Sequence, residues 1–300
     1  MIAMDTMDAV ETAVQTPATV DEAVALLTEF GDEGKVLAGG QSVLVLYRFG
    51  FVTPSAFVSL RKIEELTQIT PQPDGGLRLG AAVTQHRIIA DPEIGRAYPA
   101  LVDAARCVSS PQVRRRGTIG GNLCHADPTA DPPAALIALA ASVEIAGADG
   151  RRTIPVEALF ADYMETILEP GELLTAILLP TPVPGSAYLK HRLRGIDTAI
   201  AGAGVGLTLA ADGVTCASVD IGLAAAGTTP RRASEAEAAL RGIALTPDAW
   251  AIAGRIAAEE SEPLEDTEAS EWYRRQMIDR FVQRAGALAQ ARAGQEGHAK

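Results

Sequence analysis

Two glycine-containing segments of the chain carry the residue types that bind an anionic ligand. Residues 38–42 (Ala-Gly-Gly-Gln-Ser) follow a predicted strand, and residues 118–122 (Thr-Ile-Gly-Gly-Asn) follow three consecutive arginines. Glycine adopts positive φ without steric cost, and its missing Cβ lets backbone N–H groups approach a phosphate. The side chains of Ser42, Thr118 and Asn122 could donate further hydrogen bonds to phosphate or ribose oxygens. Together the segments predict a site that holds a diphosphate from two sides.

Each of these features also has a simpler interpretation. Neither segment has the G-x-G-x-x-G or P-loop pattern, which argues against a Rossmann-type or kinase-type site. Either segment alone could equally be a tight turn that binds nothing, because Gly-Gly is first of all a turn signal. Asp131 precedes Pro132 and could simply cap a helix; because capping is compatible with ligand binding, we expect it both to cap the helix and to contact a ligand. Lys190 could be a solvated lysine or a cation that stabilises negative charge on a cofactor.

The charge, cysteine and histidine patterns exclude several classes of protein. With 26 Lys and Arg against 38 Asp and Glu, the net charge is −12, and so acidic a surface repels nucleic acid. The three cysteines are far apart without a C-x-x-C, and the four histidines lack metal-binding spacing. We therefore predict no disulfide scaffold, no metal site and no iron–sulfur cluster held by this chain alone. Any redox chemistry then needs an organic cofactor.

No apolar run of the sequence is long enough to span a bilayer, so we predict no contact with a membrane. The N-terminal segment carries acidic residues where a signal peptide has a basic start. We therefore expect a cytoplasmic protein.

The elements that position the two segments can be predicted from caps and periodicity. Residues 12–16 are a predicted strand, Thr19 and Glu22 form a capping box that opens a helix, and residues 36–38 are a second strand. This β-α-β unit leads directly into the first glycine segment. A helix over residues 98–108 precedes the second segment.

A domain boundary is predicted at residues 179–185, where three prolines and a glycine favour an extended connector. A chain of 300 residues also exceeds what one hydrophobic core usually serves. Beyond the connector, periodicity predicts two strands followed by three helices, at residues 199–209, 218–225, 233–241, 247–260 and 270–291.

The two segments and their flanks also carry a family resemblance. Residues 38–42 and 116–131 are similar to the two FAD-binding signatures of one family, the flavoprotein (medium) subunits of molybdenum hydroxylases. This is the family of xanthine dehydrogenase and aerobic carbon monoxide dehydrogenase. The resemblance extends over nearly the whole chain, with further matching segments in family order at residues 111–114, 172–174, 187–190 and 227–233.

The resemblance implies an α+β fold with two domains. A two-lobed PCMH-type FAD-binding domain is expected over residues 1–180, with lobes at about 1–60 and 61–180. A smaller C-terminal α+β domain of the carbon monoxide dehydrogenase flavoprotein type is expected over residues 185–292, before a polar tail at residues 293–300.

The resemblance also implies which residues bind FAD. The two segments are expected to wrap the diphosphate, Asp131 to hydrogen-bond a polar part of the cofactor, and Leu174 and Lys190 to lie close to the flavin. The full set of implied cofactor-binding residues is Leu37, Ala38, Gly39, Gly40, Gln41, Ser42, Thr118, Ile119, Gly120, Gly121, Asn122, Asp131, Leu174 and Lys190. No residue is assigned a catalytic role. The arginine run at residues 114–116 is a candidate for docking a partner.

In this family the FAD is noncovalent, which favours structural roles for Cys124 and His125 over covalent attachment.

The implied function is electron transfer from the [2Fe–2S] clusters of a small subunit, through FAD, to an external acceptor. A large subunit would carry the molybdopterin, and the assembly would be a dimer of heterotrimers. Two alternatives remain open at this point: a free-standing PCMH-type flavin oxidase with its own substrate site, and a nucleotide-binding module without catalysis. The substrate of the molybdenum subunit and the electron acceptor are not predicted.

Overall fold

The computed structural model describes residues 12–296. The acidic start of the chain and residues 297–300 of the predicted tail lie outside the described residues. Among residues 12–296, no helix is both long and apolar enough to cross a membrane.

A small parallel sheet forms the first lobe. Its elements are β1 (Ala13–Gln15), α1 (Val20–Phe30), β2 (Gly34–Leu37), α2 (Val43–Arg48) and β3 (Ala56–Ser59). β3 lies between β1 and β2 and pairs in parallel with both, so a third strand separates the strands of the predicted β-α-β unit. The Thr19 hydroxyl oxygen caps α1 by accepting from the Glu22 amide at 3.1 Å. The Glu22 carboxylate accepts from the amide of Ala18, not Thr19, so the capping box is offset by one residue.

The second lobe is an antiparallel sheet covered by helices. Its elements are β4 (Ile69–Pro71), β5 (Leu77–Gly80), α3 (Gln85–Ala90), α4 (Pro92–Ala97), α5 (Pro99–Cys107), α6 (Pro111–Arg116), α7 (Ile119–His125), α8 (Asp131–Ala138), β6 (Ser142–Gly147), β7 (Gly150–Pro155), β8 (Phe160–Asp162), β9 (Glu165–Thr166) and β10 (Leu173–Leu179). The strand order is β4-β5-β10-β6-β7, and β8 and β9 form a separate hairpin. Ala146 and Leu173 of this sheet pack with Leu27 of α1, so the first lobe's core extends beyond residue 60.

A four-stranded antiparallel sheet and three helices form the C-terminal part. Its elements are β11 (Ser186–His191), β12 (Ala201–Leu209), β13 (Cys216–Ala224), β14 (Arg231–Arg232), α9 (Ser234–Leu240), α10 (Pro247–Glu259) and α11 (Glu271–Glu296). The predicted strands and helices are present, and α11 continues past residue 292, where the domain was predicted to end. Val205 and Leu207 pack in the core formed with these helices.

α8 of the second lobe packs against β12 and β13, and glycines make that contact possible. A Cβ on Gly206 would overlap the carbonyl oxygen of Ala138, and one on Gly222 would overlap that of Ala134. Because strand residues alternate between faces, Gly206 faces α8 while Val205 and Leu207 face the opposite side. The residue that begins α8, Asp131, is therefore positioned by close backbone packing between the two domains.

Candidate functional site

A cavity of about 840 Å³ brings the two glycine segments together with Asp131, Leu174 and Lys190. Every predicted cofactor-binding residue lines it except Leu37 and Ile119. Leu37 ends strand β2, and the Ile119 side chain is completely buried in the core of the second lobe. Any contact from Ile119 to a ligand would therefore have to come from its backbone.

The first glycine segment presents unpaired backbone donors. Gly40 has a φ of +72°, and the backbone of Gly39 packs so closely on the Arg116 carbonyl that a Cβ would overlap it. Within residues 12–296, the amide N–H groups of Gly40, Gln41 and Ser42 have no backbone acceptor. Consecutive free N–H groups around a positive-φ glycine form an anion-binding concavity. The backbone of the first glycine segment therefore has a geometry that suits phosphate binding.

The second glycine segment is not a turn but the start of helix α7. Thr118 is its N-cap, and the Thr118 hydroxyl oxygen accepts from the Gly121 amide at 3.1 Å. The amide of Gly120 donates to the Ala81 carbonyl at 2.9 Å, and neither Gly120 nor Gly121 has positive φ. The expectation of positive φ at these two glycines is thus wrong. Gly120 instead allows close packing, because a Cβ there would lie 2.6 Å from the Cβ of Ala81.

Asn122 supplies a test of whether the cavity suits FAD. Its side-chain Oδ1 is buried without a hydrogen-bond donor in the described part of the chain, and the residue lines the cavity. A buried acceptor of this kind calls for a ligand that donates. FAD fits both needs, since its phosphates accept from the N–H groups of the first segment and its hydroxyls can donate to Oδ1.

A buried ion pair lies at another part of the cavity. Lys190 Nζ donates to Asp131 Oδ2 at 2.9 Å, and the Tyr188 hydroxyl donates to Asp131 Oδ1 at 2.8 Å. Burial raises the pKa of the Asp131 carboxyl, and the hydrogen bonds from Lys190 and Tyr188 partly offset that rise. The expected helix cap at Asp131 is wrong, because Ala130 is the N-cap and the carboxylate points to strand β11 instead.

Tyr188 is a site residue that the sequence analysis missed. It lies two residues before Lys190 on β11, so the two side chains share one face of the strand. That alternation was the signal available in the sequence. The Tyr188 ring is almost completely buried, and a Cβ on Gly202 of the neighbouring strand would overlap its hydroxyl. Gly202 thus makes room for the hydroxyl that reaches Asp131.

The arginine run is the last turn of α6, and its members have different surroundings. The Arg114 guanidinium donates to the carbonyls of Val108 and Ser109 at 2.8 and 2.7 Å, so it stabilises the preceding loop. Arg115 and Arg116 are exposed. Docking of a partner by the run stays a prediction, and only those two side chains are available for it.

Comparison with known proteins places the chain in a family. Residues 9–182 match the FAD-binding domain in molybdopterin dehydrogenases, and residues 186–288 match the carbon monoxide dehydrogenase flavoprotein C-terminal domain. The chain is 35% identical to the carbon monoxide dehydrogenase medium chain of Afipia carboxidovorans, covering 92% of this chain and 96% of that one. It is 34% identical to the 6-hydroxypseudooxynicotine dehydrogenase complex subunit alpha of Paenarthrobacter nicotinovorans, covering 92% and 93%.

The fold agrees with this placement. The structure of reconstituted carbon monoxide dehydrogenase from Oligotropha carboxidovorans matches with a TM-score of 0.90 at 35% identity, covering 94% of this chain and 98% of that one. The chain therefore belongs to the FAD-binding subunits of the molybdenum hydroxylases, a family of oxidoreductases. The predicted family, the α+β fold and FAD as the cofactor are confirmed.

Proposed function

We propose that this chain binds one FAD noncovalently and passes electrons from the [2Fe–2S] clusters of a small subunit to an external acceptor. A large molybdopterin subunit would supply those electrons, in a dimer of heterotrimers located in the cytoplasm. The named relatives support the partnership, since one is a medium chain and another is a subunit of a dehydrogenase complex. FAD, when bound, supplies the redox chemistry.

The proposal rests chiefly on the free amides of Gly40, Gln41 and Ser42, which share one cavity with the buried Lys190–Asp131 pair. The amides would hold the diphosphate, and Lys190 would place a cation beside the flavin. The cofactor-binding set from the sequence is retained, with Leu37 and Ile119 limited to backbone or supporting roles. The proposed division of the chain is also retained, with residues 1–180 as the FAD-binding domain and a C-terminal domain from residue 185. The C-terminal domain contributes Lys190 to the cavity and extends with α11 beyond residue 292.

The same ion pair argues against a substrate site of the chain's own. Both oxygens of the Asp131 carboxylate already accept hydrogen bonds from protein donors, and Lys190 also donates to the Cys107 carbonyl at 3.3 Å. Neither group is placed as a free acid or base for substrate chemistry. Electrons must then come from another protein, which favours the subunit over a free-standing oxidase.

The noncovalent assignment is tested by acid precipitation of the purified chain. We expect the yellow cofactor to appear in the supernatant. Flavin that stays with the protein pellet would contradict noncovalent binding, and a colourless chain that cannot be reconstituted with FAD would end the proposal.

The partnership is tested by assaying the chain with and without its two partner subunits. We expect the isolated chain to bind FAD but to oxidise no small organic substrate, and substrate-dependent bleaching of the flavin to need both partners. Turnover of an alcohol, purine or aldehyde by the isolated chain, at about 1–1000 per second, would establish the free-standing oxidase instead.

A further inference from the structure

One polar side chain of the cavity is buried without any partner. Gln85, the first residue of α3, is 1% exposed, and neither its Nε2 nor its Oε1 has a hydrogen-bond partner in residues 12–296. The residue lines the same cavity as the glycine segments. A buried amide atom without a partner destabilises the fold, so the chain retains at Gln85 a polar group that its own residues do not satisfy.

The backbone of Gln85 is fixed beside the predicted diphosphate site. Its amide donates to the Gly117 carbonyl at 2.9 Å, and Thr84 pairs with Thr118 in a β-bridge. Gly117 in turn lies against Gly39, since a Cβ on Gly39 would be 3.0 Å from the Gly117 Cα. The Gln85 side chain therefore enters the cavity next to the turn that carries the free amides.

The missing partner must both donate and accept, because Nε2 is a donor and Oε1 is an acceptor. A phosphate oxygen only accepts and would leave Oε1 unpaired. A hydroxyl does both, and in FAD hydroxyls flank the diphosphate on each side, on the ribityl chain and on the ribose. We propose that Gln85 binds one of these hydroxyls when FAD occupies the cavity, which rests on the function proposed above.

The substitution Gln85→Met tests this role, because methionine keeps the unbranched shape and removes both polar atoms. In the flavin-free chain it removes two unsatisfied groups, so the midpoint of urea unfolding should not fall. The FAD dissociation constant, measured by quenching of flavin fluorescence, should rise roughly tenfold, the size of one or two neutral hydrogen bonds. A merely structural residue would give the reverse: lower stability and unchanged affinity.

The matched control is Gln276→Met, at an exposed position on α11 outside the cavity. Gln276→Met should change neither the midpoint of urea unfolding nor the FAD dissociation constant. Binding of FMN and of ADP then separates the two hydroxyl sources, since FMN has the ribityl chain and ADP has the ribose. Gln85→Met should weaken only one of these two ligands.

An unchanged FAD dissociation constant in Gln85→Met would overturn the proposal. So would a greater loss of flavin-free stability than in Gln276→Met. The proposal would also fail if Gln85→Met weakened FMN and ADP equally, or weakened neither. If Gln85→Met does not fold, Gln85→Asn carries the test, since it keeps the amide but withdraws it by one methylene. Unchanged FAD affinity in Gln85→Asn would then refute the contact. A wild-type chain that binds no FAD would instead refute the proposed function.

Discussion

Lys190 Nζ lies 2.9 Å from Asp131 Oδ2, with only 3% and 5% of the two side chains exposed. Lys190 belongs to the first strand of the C-terminal sheet, and Asp131 begins a helix of the second lobe. The charge at this part of the cavity is therefore set by a contact between the two domains. Neither charge is stable there alone, because a buried ion without its partner loses hydration with no compensation.

A double-mutant cycle should show this dependence. Asp131→Asn or Lys190→Met alone should lower the free energy of unfolding by about 3–5 kcal/mol, because each leaves a buried partner uncompensated. The double variant should lose less than the sum of the two. Urea unfolding of the four proteins measures the coupling, and additive losses would mean that the two groups do not depend on each other.

Tyr188→Phe should destabilise the chain in a pH-dependent way. At pH 7 the loss should be about 1–3 kcal/mol, because the Asp131 carboxylate loses a donor. Burial raises the pKa of the Asp131 carboxyl in the folded chain, so acidification neutralises this carboxyl before it neutralises an ordinary exposed aspartate. The hydroxyl then has less charge to stabilise, and the loss should shrink as the pH falls to 4.

The control for this measurement is Tyr98→Phe. The Tyr98 side chain is also buried, but its hydroxyl donates to the neutral carbonyl of Pro180 at 2.5 Å, and burial raises its pKa to about 12. Neither of those groups titrates between pH 4 and 7, so the loss from this substitution should not depend on pH there. Equal pH dependence in both variants would show that Asp131 is not the titrating group.

Local signals in the sequence predicted individual elements with clear caps or periodicity, but not how the elements pack together. The cap at Thr19 and the apolar periodicity of the C-terminal strands act within a few residues, so helix α1 and strands β12 and β13 were predicted. Strands β10 and β11, which flank the proline connector, were not predicted. The insertion of β3 between β1 and β2 depends on long-range pairing. No local pattern indicates it.

The errors at the site have the same origin. Gly120 and Gly121 were interpreted as part of a turn, but they lie in the first turn of helix α7. The Gly120 amide donates to the Ala81 carbonyl and is therefore already paired. Asp131 next to a proline is typical of a cap, but a lysine and a tyrosine nearly sixty residues later take its carboxylate. The sequence therefore identified residues that line the cavity, but their structural roles depend on tertiary contacts that local propensity does not encode.

Gly40→Ala should reduce FAD binding because of the backbone conformation of this residue. At a φ of +72° alanine is strained by about 1–2 kcal/mol, and its Cβ would lie 2.9 Å from the Leu44 Cδ1. Relief of that strain would turn the neighbouring N–H groups away from the diphosphate. Gly50→Ala is the control, since Gly50 has a φ of +75° with nothing within 4 Å of a Cβ and lies outside the cavity lining. Both should lose similar stability, and only Gly40→Ala should lose bound flavin.

The acid stability of the chain should depend on a network of two glutamates and two arginines. Arg78 and Arg151 each contact both Glu65 and Glu144 at 2.6–2.9 Å. The hydrogen bond from Arg151 lowers the pKa of Glu65. Burial raises the pKa of Glu144, but its contacts with Arg78 and Arg151 outweigh burial, so the pKa of Glu144 is also lowered. A carboxyl whose pKa is lowered by folding stabilises the folded chain at any pH above its unfolded pKa of 4.5. This stabilisation is lost as the pH falls through the pKa of the folded state. Glu144→Gln should flatten the fall in stability measured by urea unfolding below pH 4.5; an unchanged slope would assign acid unfolding to other groups.

The seating of α8 on the C-terminal sheet gives the last prediction. In Gly222→Ala the new methyl would overlap the Ala134 carbonyl, so helix α8 must shift away from β13. Overpacking of this kind costs about 1–3 kcal/mol. Because Asp131 begins α8, the shift also moves its carboxylate away from Lys190. Stability and FAD affinity should therefore fall together.

Gly95→Ala separates this effect from the general consequence of adding a methyl group. Gly95 lies within α4 with nothing within 4 Å of a Cβ and without positive φ, so alanine should raise stability by roughly 0.5–1 kcal/mol. FAD affinity should stay as in the wild type. If Gly222→Ala lost stability but bound FAD as tightly as Gly95→Ala, the helix would not transmit the contact to Asp131. The cavity would then be insensitive to how the two domains pack.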